Sequence, residues 1–309
     1  MGEHVSVPAV WSTEEIEETV LHLREQWHAL VRADNLLGPR RALTGVRSQL
    51  AVLTELMAAS AGEVRREVVG LAARYAESAA WLHEDAGDRA TAQWWTTQAM
   101  RWAHEVGDPG MMAWTAYRRS QQMAATRSAA RVIDLARAAG CDEDALPAPM
   151  RAAIRVQEAH GQAMGGDGRT ALRLLDEAHA WAAEDQVGEA RAGHGSFCTA
   201  SHIEIQRARC LTLLDRPHAA VDCYERALPG LPAVYRRDRA AALVGQAVAL
   251  VAVGAPDRAA AAAHAALPVA RGAGSHRVVV QIAAVGVRLA EHRRLPDVAA
   301  LLDDLAEAG

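Results

Sequence analysis

Polar and aromatic residues recur at intervals of three or four along several segments, which places them on one face of each predicted helix. Tryptophan is favoured at binding hot spots, and arginine forms bidentate pairs with carboxylates. Such faces would suit docking of a peptide, a protein segment or a small effector. The predicted binding residues are Trp81, Trp94, Trp114, Arg118, Gln121, Arg155, Glu158, Gln162, His202, Gln206 and Arg209.

These faces are also compatible with simpler structural roles. A stripe of arginine and glutamine can be a solvated helix surface. Trp81 and Trp94 each fall on an otherwise polar stripe, so packing inside their own helix pair explains them poorly. They would either pack against an adjacent repeat or line a binding groove.

One segment spaces His194, Cys198 and His202 four residues apart, and all three are zinc-compatible ligands. The segment spans a predicted loop and offers no obvious fourth ligand. We therefore expect loop residues around a buried thiol, with no bound metal and no cofactor.

Catalytic pairs are conceivable but carry no motif. Cys198 with His160 or His202, or the group His83–Asp85, contains suitable residue types, yet nucleophilic catalysis needs a hydrogen-bonded geometry that spacing does not supply. The chain has no nucleophile elbow, HExxH motif, paired-cysteine motif or nucleotide-binding glycine loop. The sequence thus predicts a protein that is not an enzyme.

Composition excludes several classes of protein. All 33 basic residues are arginine, so Schiff-base, pyridoxal and phosphate-loop lysine chemistry is ruled out. The net charge of −5 without a basic run argues against a direct nucleic-acid partner. Four scattered cysteines, no apolar leader and no run long enough to span a bilayer predict a cytoplasmic protein without membrane contact.

A sequence motif repeats along the chain. It consists of a short turn, an alanine-rich stretch and an apolar stripe at helical spacing. Its copies recur about every 40 residues, which is typical of stacked helix hairpins. Small residues allow the two helices of a hairpin to approach closely. The aligned alanines, separated by 38, 41, 49 and 39 residues, are Ala92, Ala130, Ala171, Ala220 and Ala259.

The repeats imply four segments, one of which contains an insertion. We expect a flexible tail at 1–10, an N-terminal helical cap at 11–62, repeats at 63–272 and a C-terminal helical cap at 273–309. The longest interval between aligned alanines contains a glycine-rich insertion at about 186–201.

One copy resembles a known repeat family. Its alanine, aromatic, leucine and proline positions match the second half of a tetratricopeptide repeat: Ala220, Tyr224, Ala227, Leu228 and Pro232. The resemblance implies an all-α, tetratricopeptide-like right-handed solenoid of helix hairpins, in which the first helix of each pair lines the concave groove.

Residues from about 20 onward also resemble the sensory region of actinobacterial Xre-type transcriptional regulators. Segments 32–39, 197–210 and 274–277 carry this likeness. The resemblance implies a regulatory role in sensing or protein interaction. The helix-turn-helix domain that precedes this region in those regulators has no counterpart here, so DNA binding by this chain is not implied.

Three functions fit these features. The first is a stand-alone binding module that senses or scaffolds through a concave groove. The second is an accessory or catalytic protein of a bacterial biosynthetic pathway, with a pocket shaped by the 186–201 insertion. The third is an oligomerisation module, for example a homodimer. An open groove would favour the binding module. A closed pocket with Trp81 or Trp114 beside a titratable pair would favour the biosynthetic role. A self-complementary apolar patch on a terminal helix pair would favour the oligomerisation module.

Overall fold

The computed structural model describes residues 11–184 and 193–307. The predicted tail at 1–10 and residues 186–192 of the predicted insertion lie outside these ranges. Fourteen α-helices occur in the described residues. They are α1 (Thr13–Leu37), α2 (Pro39–Ala59), α3 (Gly62–Asp85), α4 (Arg89–Val106), α5 (Pro109–Ala124), α6 (Ala129–Ala139), α7 (Ala148–Met164), α8 (Gly168–His179), α9 (Ala200–Leu213), α10 (Pro217–Ala227), α11 (Arg236–Ala252), α12 (Pro256–Gly272), α13 (His276–Leu289) and α14 (Pro296–Ala306).

Successive helices form antiparallel hairpins that stack in chain order, as the repeat predicted. Short polar residues begin many of the helices. Ser12 and Glu15 form a capping box at the start of α1, and Asp88 and Asp167 accept hydrogen bonds from backbone N–H groups at the starts of α4 and α8. These caps satisfy N–H groups that a helix leaves unpaired at its first turn.

Small residues lie where the helices of a hairpin touch, with one correction to the predicted register. Of the five aligned alanines, Ala130 is exposed, whereas the remaining four are fully buried. Its place is taken by Val132, which is fully buried two positions later. With Val132 the spacings become 40, 39, 49 and 39, so the repeat is more regular than the sequence alignment indicated.

The two ends of the solenoid meet, which the sequence did not predict. Asp34 in α1 is hydrogen bonded to Arg237 in α11, 203 residues away. Asp85, at the end of α3, accepts a hydrogen bond from the hydroxyl of Ser275, just before α13. The two ends of the array therefore contact each other, and its concave side becomes a central cavity that is partly open to solvent.

Buried apolar residues form three clusters along the stack, one in the N-terminal helices, one in the middle and one in the C-terminal helices. This distribution is typical of a solenoid, in which each repeat packs on its neighbours. No helix in the described ranges combines the length and apolarity that a membrane span requires.

Candidate ligand-binding cavity

The closed solenoid encloses a cavity of about 1140 Å³. Its wall comes chiefly from the first helix of each hairpin, namely α1, α3, α5, α7, α9, α11 and α13. This arrangement matches the expectation that first helices form the concave face. The described part of the insertion also reaches the cavity, through His194, Phe197 and Cys198.

The cavity has an excess of positive charge, although the chain as a whole carries −5. Seven arginines line it against four carboxylates. The arginines are Arg89, Arg118, Arg127, Arg209, Arg237, Arg277 and Arg288, and the carboxylates are Asp34, Glu77, Glu84 and Asp238. A cationic cavity of this kind attracts anionic groups.

Trp81 lies at the cavity wall among three of these arginines. The guanidinium carbons of Arg118, Arg237 and Arg277 lie 4.9, 5.1 and 5.6 Å from the ring centroid. All three distances are within the range of cation–π attraction. Because these arginines come from α5, α11 and α13, Trp81 joins the two ends of the solenoid to its middle.

The arginine that joins the ends most directly is Arg237, which is buried. Its two terminal nitrogens donate to the two oxygens of Asp34, at 2.5 and 2.7 Å, and one also lies 3.4 Å from Asp85. Burial opposes its charge, but Asp34 and Asp85 together hold the pKa of Arg237 above its ordinary value. Trp81 donates from its indole nitrogen to the same Asp34 carboxylate, at 3.2 Å.

A second buried pair fixes the α5 side of the cavity. Arg118 donates to Glu77 from two nitrogens, at 2.9 and 2.6 Å, and to the Gln121 side-chain oxygen at 2.7 Å. Gln121 in turn donates to the hydroxyl of Tyr117 at 2.7 Å. The predicted residues Arg118 and Gln121 thus line the cavity, held in place by their own partners.

Trp114 supports the cavity from behind. It is fully buried and stacks on Tyr117 and His194, with ring centroids 4.5 and 4.9 Å apart. Phe197, in the described part of the insertion, packs in the same apolar cluster, with its ring centroid 6.2 Å from that of Trp114. Trp114 therefore positions lining residues and does not line the cavity itself.

Three predicted residues of α9 face the cavity together: His202, Gln206 and Arg209. Burial lowers the pKa of His202, and the Gln206 side-chain nitrogen lies 3.3 Å from its ring. Burial also lowers the pKa of Arg209, and the nearby charge of Arg277 lowers it further.

Four further predicted residues do not line the cavity. Trp94 lies on the outer side of the solenoid, 53% exposed, with its ring edge against Trp95. Arg155 and Glu158 pair with each other at 3.3 Å and with charged residues of neighbouring helices, while Gln162 is buried. Arg155, Glu158 and Gln162 lie beside the inward stripe of α7, and Trp94 belongs to the outer helix α4, so a role of these residues in binding stays a prediction.

Other cavity residues were not predicted from the sequence. Arg237 begins an inward stripe that continues through Ala241, Gly245 and Val248, and this spacing is visible in the sequence. No local spacing predicts the role of Asp34, because its partner Arg237 lies 203 residues away in the chain.

The described residues do not favour the conceivable metal site or catalytic pair. They contain no group of three or more His, Cys, Asp or Glu that could hold a metal ion. Burial raises the pKa of the Cys198 thiol, lowers that of His160 to about 3 and lowers that of His202. Burial therefore disfavours the Cys198 thiolate that nucleophilic catalysis would need.

Thiol accessibility gives a direct check of this arrangement. Cys141 is exposed, whereas Cys198, Cys210 and Cys223 are buried. We expect native protein to react rapidly with Ellman's reagent at one thiol and denatured protein at four. Cys141→Ser should remove the rapid phase, and a second rapid thiol in that variant would contradict the burial of the other three.

Comparison with known proteins supports the fold. No protein-family profile and no curated protein matches the sequence. Among solved structures, the chain is similar to a Rap protein complexed with Competence and Sporulation Factor. The TM-score is 0.54 at 11% identity, and the match covers 94% of this chain and 97% of that one. Together with the helix hairpins, this likeness identifies the chain as an all-α, tetratricopeptide-like helical-repeat solenoid.

Proposed function

We propose that this protein is a stand-alone binding module that holds a short peptide, a protein segment or a small effector in its central cavity. The observation that carries the proposal is the cavity itself, lined chiefly by seven helices and combining tryptophan, arginine and glutamine side chains. Its volume slightly exceeds the roughly 300–1,000 Å³ usual for small-molecule pockets. A compact ligand therefore suits it better than a long chain lying in an open groove.

The residues around the cavity favour binding over proton transfer. Asp34 and Glu77 are each committed to a buried arginine. Such pairs hold the wall in shape and leave the aromatic rings and remaining polar groups to contact a ligand. The Rap protein complexed with Competence and Sporulation Factor is a precedent for a solenoid of this fold that holds a partner molecule.

We further propose that binding is regulatory and cytoplasmic, in line with the resemblance to Xre-type sensory regions. Ligand binding would be read out as a change in how the two ends of the solenoid meet, because residues from both ends form the cavity wall. A homodimer and an oligomerisation role remain separate predictions.

The second candidate is a catalytic or accessory role in a biosynthetic pathway. An enclosed cavity with Trp81 beside the Asp34–Arg237 pair, reached by the insertion residue His194, is the geometry that would favour it. Glu84 is the group such a function would use. Burial raises its pKa, and one buried carboxyl oxygen has no hydrogen-bond partner among the described atoms.

A cavity-filling substitution tests the binding function. Ala241 lies on the cavity wall in α11, so Ala241→Trp should obstruct the cavity, whereas Ala261→Trp places the same side chain on an exposed position of α12. We expect native mass spectrometry with a random hexapeptide mixture to show bound peptides on the wild type and on Ala261→Trp. Ala241→Trp should bind at least about tenfold less peptide, which corresponds to a loss of about 1.4 kcal/mol of binding free energy. Binding that is absent from the wild type, or equal in both variants, would refute the proposal.

A further inference from the structure

The cavity is chemically uneven from one end to the other. Its N-terminal part is lined by large apolar side chains such as Trp27, Leu30 and Val31, and the charges near them are paired. The C-terminal part contains Arg209, whose side chain is accessible within the cavity. This asymmetry bears on which ligand the proposed function would select.

Arg209 differs from the three arginines around Trp81. Arg118, Arg237 and Arg277 each contact a carboxylate. Arg209 forms no ion pair or hydrogen bond with any residue in the described ranges, and the cavity carboxylate Asp238 is not within ion-pair distance of it. Because Arg209 is exposed to the cavity, it is free to take an anionic partner there, and the nearby charge of Arg277 lowers its pKa.

A second polar group accompanies Arg209. The hydroxyl of Tyr224 reaches the cavity wall from α10, although the ring is buried. Gly245 of α11 makes room for it, since a Cβ atom there would lie only 2.3 Å from the hydroxyl oxygen. No hydrogen-bond partner of this hydroxyl occurs in the described part of the chain, so it is available as a donor. Arg209 and Tyr224 lie on the two packed helices of one hairpin, α9 and α10, and both line the cavity, so together they bound one corner of it.

We propose that this corner binds an oxoanion of the ligand, a carboxylate or a phosphate, with Arg209 supplying the charge and Tyr224 a hydrogen bond. The ligand would thus have an anionic end at α9 and α10 and an apolar body toward Trp27. This inference rests on the proposed function and specifies its ligand class. An oxoanion would neutralise Arg209 and offset its repulsion with Arg277.

Two fluorescent probes of nearly equal shape test the proposal. Anilinonaphthalene sulfonate carries one oxoanion, whereas N-phenyl-1-naphthylamine has the same rings without it. We expect Arg209→Met to raise the Kd of the sulfonate probe by about tenfold or more and to change the Kd of the neutral probe by less than about twofold. Tyr224→Phe keeps the ring and removes only the hydroxyl, and it should raise the Kd of the sulfonate probe by about threefold. Arg258→Met, at an exposed pair with Glu225 outside the cavity, is the matched control and should change neither.

Displacement of the neutral probe separates the two sources of the anion. Octanoate and octyl phosphate offer a carboxylate and a phosphate on the same chain, and octanol offers neither. We expect both anions to displace the probe from the wild type more strongly than octanol does, and the stronger of the two identifies the natural group. Their advantage over octanol should disappear in Arg209→Met.

The outcomes distinguish this inference from the function on which it rests. If both probes bind the wild type but Arg209→Met affects them equally or not at all, the oxoanion corner is wrong and the binding cavity stands. If neither probe binds the wild type and hexapeptides also fail, the proposed function falls with it. Normal binding of the neutral probe to Arg209→Met and Tyr224→Phe shows that both variants are folded.

Discussion

Replacing Arg237 with methionine is expected to lower the free energy of unfolding by about 3–5 kcal/mol. Arg237 is buried and pairs with Asp34 and Asp85 at the junction of the two ends. Methionine fills much of the same volume but leaves two buried carboxylates without their shared counter-charge. Urea denaturation followed by circular dichroism measures the loss.

Two comparisons show whether the effect comes from the junction. Arg258→Met removes an exposed pair with Glu225 and should cost about 1 kcal/mol or less. Asp34→Leu combined with Arg237→Met removes both charges and should recover part of the stability lost in the single variant, because a buried pair can be replaced by apolar groups at little cost. If Arg237→Met costs no more than Arg258→Met, this pair does not hold the ends together.

Gly38→Ala is the second substitution for which we expect a large effect, through sterics and not charge. Gly38 separates α1 from α2 with φ +84° and ψ 172°, a backbone region that is nearly restricted to glycine. A Cβ atom there would lie 1.5 Å from the carbonyl oxygen of Ala273, which precedes α13. Backbone cannot rotate away as a side chain can, so the N-terminal and C-terminal ends would have to separate.

Gly62→Ala provides a matched control for the backbone conformation. Gly62 has φ +60°, but a Cβ atom there meets nothing within 4 Å, so alanine should cost only the strain of that conformation, about 1–3 kcal/mol. Gly38→Ala should cost at least about 2 kcal/mol more, since overlap adds to strain. Small-angle scattering should also show a larger radius of gyration for Gly38→Ala alone. Equal stability losses and unchanged dimensions in the two variants would contradict the close approach of the ends.

These substitutions bear on function because the closed junction supplies the end walls of the cavity. Asp34, Trp81 and Arg237 contact one another and also line the cavity. A ligand that touches them would therefore act on the same contacts that hold the ends together. Urea denaturation of wild-type protein with and without bound peptide would measure this coupling as a gain in stability on binding.

Local patterns determined much of the helical architecture. Helix periodicity, caps such as Ser12 and short turns with glycine or aspartate are properties of neighbouring residues, so they predicted the hairpins and their order. The same periodicity correctly directed Arg118, Gln121 and Arg209 toward the concave side. The absence of lysine excludes whole classes of catalysis through composition alone, because no fold can supply an amine that the chain lacks.

The sequence left open which of two neighbouring helical stripes faces the cavity. In α7, Arg155 and Glu158 lie on a polar stripe that is indistinguishable by spacing from the inward one. Which stripe faces inward depends on how each hairpin rotates against the next. That rotation results from side-chain packing between repeats, which a single-helix pattern does not contain.

By itself the sequence determined a stack of helix hairpins with arginine-rich inner faces, because these features depend on residues a few positions apart. Only the tertiary structure decided that the stack closes, that Trp81 lies among three arginines and that Arg209 is left without a counter-ion in the described part of the chain. Closure accumulates from small rotations between successive repeats over the whole chain. Contacts such as Asp34–Arg237 therefore join residues 203 positions apart, where no local pattern links them.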